Sequence, residues 1–82
     1  MRYQQTAAYV KGFRKNLGLT QKELATSIGM HPQFISNIER GLAAVPPKTV
    51  KKLVRRYDMN IMEYVKHFME DKATQMVKRF KL

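Results

Sequence analysis

Two carboxamides four residues apart, Gln33 and Asn37, and a large excess of cationic side chains are the groups in this sequence best suited to chemistry, and that chemistry is recognition. Each amide carries a donor and an acceptor on one plane, and a spacing of four places both on the same face of a helix. Sixteen Lys plus Arg against six Asp plus Glu give the 82 residues a formal net charge of +10, a surface that attracts polyanions. Catalysis finds little support. There is no Gly-rich phosphate loop, no pair of carboxylates in a pocket-forming context and no nucleophile–base pattern, and so small a domain has little room for a buried cleft. The expectation is a non-enzymatic protein without a cofactor. The absence of cysteine removes disulfide, thiolate–zinc and iron–sulfur chemistry together. Neither His31 nor His67 has a second histidine or a suitably spaced carboxylate beside it, so no metal site is expected either.

The elements that must position these groups are helices. Apolar residues recur at spacings of three and four, not two, and 44% hydrophobic content is enough for one small globular core. A first helix is predicted from about Thr6 to Asn16, with Val10, Phe13 and Leu17 on one face and Gly18 as its stop. Thr20 and Glu23 form the pattern of a capping box for a second helix, whose inner face is Leu24, Ala25 and Ile28 and which Gly29 ends. Pro32 suits the first turn of a short third helix carrying Phe34, Ile35 and Ile38 up to Gly41. Pro47 opens a fourth, with Val50, Leu53, Val54 and Tyr57 on one side and Lys48, Lys51, Lys52, Arg55 and Arg56 on the other. Asn60 with Glu63 starts a fifth, with Ile61, Tyr64, Val65, Phe68 and Met69 as a broad apolar face; Glu70-Asp71-Lys72 interrupts that face before Ala73, Met76, Val77 and Phe80 restart a stripe. Only Gly29-Met30-His31 joins the second and third helices, too few residues for antiparallel stacking but right for a steep crossing of the helix-turn-helix kind.

The stretch Leu17-Gly18-Leu19-Thr20-Gln21-Lys22-Glu23-Leu24-Ala25, continuing through Gly29 to Ile35-Ser36-Asn37-Ile38-Glu39-Arg40-Gly41, resembles the lambda-repressor/Cro type of helix-turn-helix protein, the xenobiotic-response-element (XRE) family. The resemblance covers about residues 6 to 69. It implies an all-α, five-helix lambda-repressor-like domain that binds double-stranded DNA, generally as a two-fold dimer with the third helix in the major groove. Carried over position by position, it implies base reading by His31, Pro32, Gln33, Ser36 and Asn37. Gln33 and Asn37 lead, because an amide can pair with adenine N6 and N7. His31 is either a turn residue or a reader. Pro32 departs from relatives that carry glutamine there and can offer only apolar contact. Gln21, Arg40 and Lys48 are implied as phosphate contacts, with Lys51 and Lys52 as further candidates. An ion pair between Arg14 and Glu39 is implied as a structural clamp. Phe34 is open between a DNA contact and packing against the fourth helix.

Residues 1–69 thus read as the DNA-binding domain and 70–82 as a C-terminal helical extension. Its stripe of Ala73, Met76, Val77 and Phe80 has three roles open to it: dimerisation, which ranks first, packing on its own core, or a basic amphipathic membrane anchor. Dimerisation leads because one short recognition helix reads few base pairs, whereas two half-sites about 34 Å apart double the count. The expected function is a transcriptional repressor or controller; the alternative is an antitoxin-like module that grips another protein through the same stripe and autoregulates on DNA. No run of residues is long and apolar enough for a membrane span and Met1 to Gln5 lead into no signal segment, so a soluble cytoplasmic protein is expected.

Overall fold

Five helices make up the computed structural model, which describes residues 2–81: α1 (Gln4–Asn16), α2 (Gln21–Ser27), α3 (Pro32–Glu39), α4 (Pro47–Tyr57) and α5 (Ile61–Arg79). No strand occurs among the described residues. The first three helices end alike. Gly18, Gly29 and Gly41 all have positive φ, and at each the two N–H groups beyond the helix turn back to its last carbonyls. After α2, for example, Gly29 N–H donates to the Thr26 carbonyl and Met30 N–H to that of Ala25, at 3.2 and 2.8 Å. That pairing is the Schellman motif. A Cβ at position 29 would meet nothing within 4 Å, so the left-handed φ alone, and no lack of space, favours glycine there. Thr20 and Glu23 complete the reciprocal capping box at the start of α2. At α5 the cap is half of one: Asn60 accepts from Glu63 N–H.

The core lies where the helices converge. Val10, Leu24, Ala25, Ile28, Ile35, Ile38, Val50, Leu53 and Tyr64 are buried there, joined by Val45 and Met59 from the connecting segments. Leu17, expected on the inner face of α1, is 37% exposed because it is the residue on which the helix ends. Ile61, Val65 and Met69, expected to be inward on α5, are exposed as well; only Tyr64 and, in part, Phe68 of that set face the core. Burial in this apolar setting, with Tyr3 nearby, pushes the Tyr64 hydroxyl up to about 12.

Two features of α1 and α5 have one cause. α1 begins at Gln4, two residues before the predicted start, although its N-cap residue Tyr3 contributes no side-chain cap. The cap comes from α5: the buried carboxylate of Asp71 accepts from Gln5 N–H at 2.9 Å, Thr6 N–H at 2.8 Å and the Thr6 hydroxyl at 2.6 Å. A carboxylate is well placed against unpaired N–H groups at the positive end of a helix. Residues 70–72, read as an interruption of the apolar face, therefore carry the contact that docks α5 on α1, and the helix runs through them unbroken to Arg79. Gln75 adds a bond to the Arg2 carbonyl at 2.7 Å.

Candidate nucleic-acid interface

α3 is held from behind. Ile35 and Ile38 are each 1% exposed, and Glu39, on the same side, is buried at the end of the helix where a negative charge gains nothing from the backbone dipole. Arg14 compensates. Its Nε and Nη2 donate to the two carboxylate oxygens of Glu39 at 2.7 and 2.9 Å, while Nη1 donates to the Leu19 carbonyl at 2.8 Å. The planar guanidinium thus ties α1, the segment leading into α2, and the end of α3 at one point. Hydrogen bonding to Glu39 holds the guanidinium above its ordinary pKa despite the opposing effect of burial. Gln21 joins the cluster, donating from its amide to Glu39 at 3.2 Å.

The turn is braced from α4. Lys52 Nζ donates to the Ile28 carbonyl at 3.1 Å, and the Tyr57 hydroxyl donates to Ser27, whose own hydroxyl donates to the Leu24 carbonyl. The end of α2 therefore has its carbonyls satisfied by side chains as well as by the turn. Phe34 is half-buried, with part of its ring packed against the core.

On the opposite side of α3 the amides come together. Gln33 is exposed and Asn37 half-buried, and Gln33 Nε2 donates to Asn37 Oδ1 at 3.0 Å. This bond fixes both side chains with respect to each other and leaves the Gln33 oxygen, one of its N–H groups and both N–H groups of Asn37 for other partners. His31 is exposed at the N-cap of α3 without a side-chain cap bond, Pro32 and Ser36 are half-buried, and Arg40 is exposed at the other end of the helix. Lys48 is exposed in the first turn of α4. Lys51 borders an apolar groove between α4 and α5, and Lys52 is engaged with Ile28 as described. So Gln33, His31, Arg40, Lys48, Lys51 and Lys52 are exposed and Asn37 is half-buried, while the Gln21 amide and the Lys52 ammonium each have a hydrogen-bond partner within the domain.

Sequence reasoning passed over three features. Leu42, just beyond α3, is 54% exposed, although a leucine after a stop glycine could equally have folded inward. Asp71 gave no local cap signal because its partners lie 65 and 66 residues away. His67 does have carboxylates near it, with Glu70 at 3.1 Å and Glu63 at 3.9 Å on its own helix, a spacing of three and four that was legible. No cluster of residues able to hold a metal ion occurs among those described. On α5 the predicted stripe of Ala73, Met76, Val77 and Phe80 is exposed, and Met62 and Met69 extend it towards the start of the helix. No helix among the described residues is long and apolar enough to cross a membrane.

Comparison with known proteins agrees with this architecture. Residues 10–64 match the helix-turn-helix family, a span that runs from the middle of α1 into α5 and includes the Arg14–Glu39 clamp and the amide pair. No curated protein and no solved structure gives a significant match. A match over most of the chain, an all-helical fold and the exposed face of α3 together establish that the chain belongs to the helix-turn-helix family of the Cro/lambda-repressor (XRE) type, DNA-binding regulators of transcription.

Proposed function

We propose that this regulator acts as a repressor or controller by occupancy, docking two copies of α3 in successive major grooves of a two-fold operator. The observation that carries the proposal is the outward amide pair on a helix pinned from behind. With one N–H of Gln33 already given to Asn37, the remaining N–H and the amide oxygen match the N7 acceptor and N6 donor of adenine, and Asn37 keeps donors for a neighbouring acceptor such as thymine O4 or guanine O6. Ser36 and His31 border this pair and would contact flanking bases; Pro32 offers apolar contact alone. Arg40, Lys48 and the amide and backbone N–H of Gln21 would hold phosphates and set the register. The Ala73–Phe80 stripe would join the two copies. Each copy carries +10, so association of the copies should strengthen with salt while DNA binding weakens.

Selection of bound duplexes from a random pool at near-physiological salt tests the proposal. A two-fold symmetric motif with adenines at equivalent places in both halves is the expected result; salt-sensitive binding without any motif would leave only a non-specific coat. The exposed stripe on α5 also favours a second role, capture of another protein in the manner of an antitoxin. Co-purification of an unrelated chain, abolished by Met76→Asp and Phe80→Asp but not by Gln33→Ala, would support that role; loss of self-association alone would support the dimer.

A further inference from the structure

Three cations meet in an open hollow of about 520 Å³ between the end of α2 and the second half of α4. Lys52, Arg55 and Arg56 line it together with Ser27 and Ile28. Spacings of three and four put the three on adjacent turns of one helix face, where like charges repel. No carboxylate balances them. α4 holds five cations and no acid, and among the described residues no acidic side chain pairs with any of the five. The acids are engaged elsewhere. Glu23 caps α2, Glu39 holds Arg14, Glu63 and Glu70 stand beside His67, and Asp71 caps α1, while Asp58 is exposed at the end of α4 and makes no ion pair. What the cations of the hollow touch is neutral: Lys52 donates to the Ile28 carbonyl at 3.1 Å and Arg56 Nε to the Tyr57 hydroxyl at 3.4 Å. The carbonyl ends of α2 and α4 come together here as well. Each is equivalent to roughly half a negative charge, so the two offset about one cation of the three and leave about two positive charges unbalanced in one concavity.

From this imbalance we infer that the hollow is a binding site for two linked phosphate groups, whether neighbouring phosphates of a duplex backbone or a free polyphosphate. Two phosphodiesters carry the two negative charges that the hollow lacks. The guanidinium forks of Arg55 and Arg56 match phosphate oxygens bidentately, and Lys52 adds a compact charge. Its ammonium has three donors and gives one to Ile28, so the brace of the turn and the ligand are held at the same time. None of the residues lining the hollow belongs to α3 or to the phosphate contacts proposed for Gln21, Arg40 and Lys48. The site is therefore independent of base reading by Gln33 and Asn37.

The probe is pyrophosphate, titrated into the full chain against sodium chloride of matched ionic strength, with the amide spectrum and thermal unfolding as readouts. Pyrophosphate should shift the amide resonances of Ser27, Ile28 and Arg55 saturably and raise the unfolding midpoint above that in chloride, as a ligand of the folded chain does. In the double variant Arg55→Gln, Arg56→Gln the Kd should rise about tenfold or more, while the midpoint without ligand stays near that of the parent because both positions are exposed. Lys48→Ala and Gln33→Ala should bind pyrophosphate within about twofold of the parent. The selected operator, with and without a further helical turn of flanking DNA at each end, names the source of the phosphates. A longer duplex held more tightly by the parent but not by the double variant assigns the site to the backbone; equal affinity for both lengths, with pyrophosphate binding in place, assigns it to a free polyphosphate. The pyrophosphate arm needs no operator, so failure of base reading and failure of this site are told apart. Chloride acting as pyrophosphate does, the double variant titrating like the parent, or a loss in Lys48→Ala as large as in the double variant would each overturn the inference.

Discussion

Among the described residues two carboxylates are buried, and they are held in opposite ways. Glu39 is met by a cation, a bidentate guanidinium that is itself largely enclosed, whereas Asp71 is met by two backbone N–H groups and one hydroxyl. Each fixes an element to which the proposed function gives a role, Glu39 the helix α3 and Asp71 the long helix α5. The difference lies in what each site leaves behind when broken. Removal of Arg14 strands a charge in a dry place; removal of Asp71 strands only helix-terminal donors, some of which water can reach because Gln5 is exposed.

The largest expected effect follows directly. Arg14→Ala should cost about 3–5 kcal/mol by urea denaturation, because Glu39 would be buried without its counter-charge. The double variant Arg14→Met, Glu39→Leu should recover most of that loss, and a double variant as unstable as the single one would break the distinction between the two sites. Asp71→Ala should cost less, about 1–3 kcal/mol, and should raise amide exchange at Gln5 and Thr6 and in the second half of α5. An exchange pattern confined to α5 would show that the carboxylate does not cap α1.

A third carboxylate sharpens the comparison from the exposed side. Glu23 is at the surface, where the backbone N–H of Thr20, and then its hydroxyl, hold the acid below its ordinary pKa. Because the folded state lowers this pKa, the stabilisation is complete above the normal glutamate range and is lost as pH falls through the depressed value. The urea midpoint of the parent should therefore drop more between neutral and strongly acidic pH than that of Glu23→Gln, and equal drops would contradict the capping role. At the alkaline end the sign reverses. Tyr64 is raised to about 12, so its contribution is intact below the ordinary tyrosine pKa of about 10 and is lost as pH rises towards 12; Tyr64→Phe should flatten that loss.

The sites differ too in how visible they were. Glu39 and Arg14 were found through resemblance to a family, and the capping box and the stop glycines through short-range patterns, because each of those signals sits within a few residues of the structure it dictates. Asp71 was legible only as an interruption. Its role depends on a helix 65 residues earlier, and a polar residue in an apolar stripe looks the same whether it faces water or caps a distant helix. The inward and outward faces of α5 were misjudged for a related reason: Ile61, Val65 and Met69 share their helical spacing with buried residues, and only the angle at which α5 meets α1 and α4 decides which apolar line is covered. On α3, periodicity sufficed, since Ile35 and Ile38 point inward and so turn Gln33 and Asn37 outward. The engagement of Lys52 with Ile28 and of Gln21 with Glu39 had no sequence signal, because a long flexible side chain reaches partners that spacing does not encode.

The measurement nearest to the centre of this account compares parent, Gln33→Ala and Lys48→Ala on the selected operator and on a random duplex of equal length, at fixed salt. Gln33→Ala should lose about 1–3 kcal/mol on the operator and almost nothing on the random duplex, whereas Lys48→Ala should weaken both alike and shallow the salt dependence. If Gln33→Ala weakens both duplexes equally, or neither, the amide pair on α3 does not read the bases.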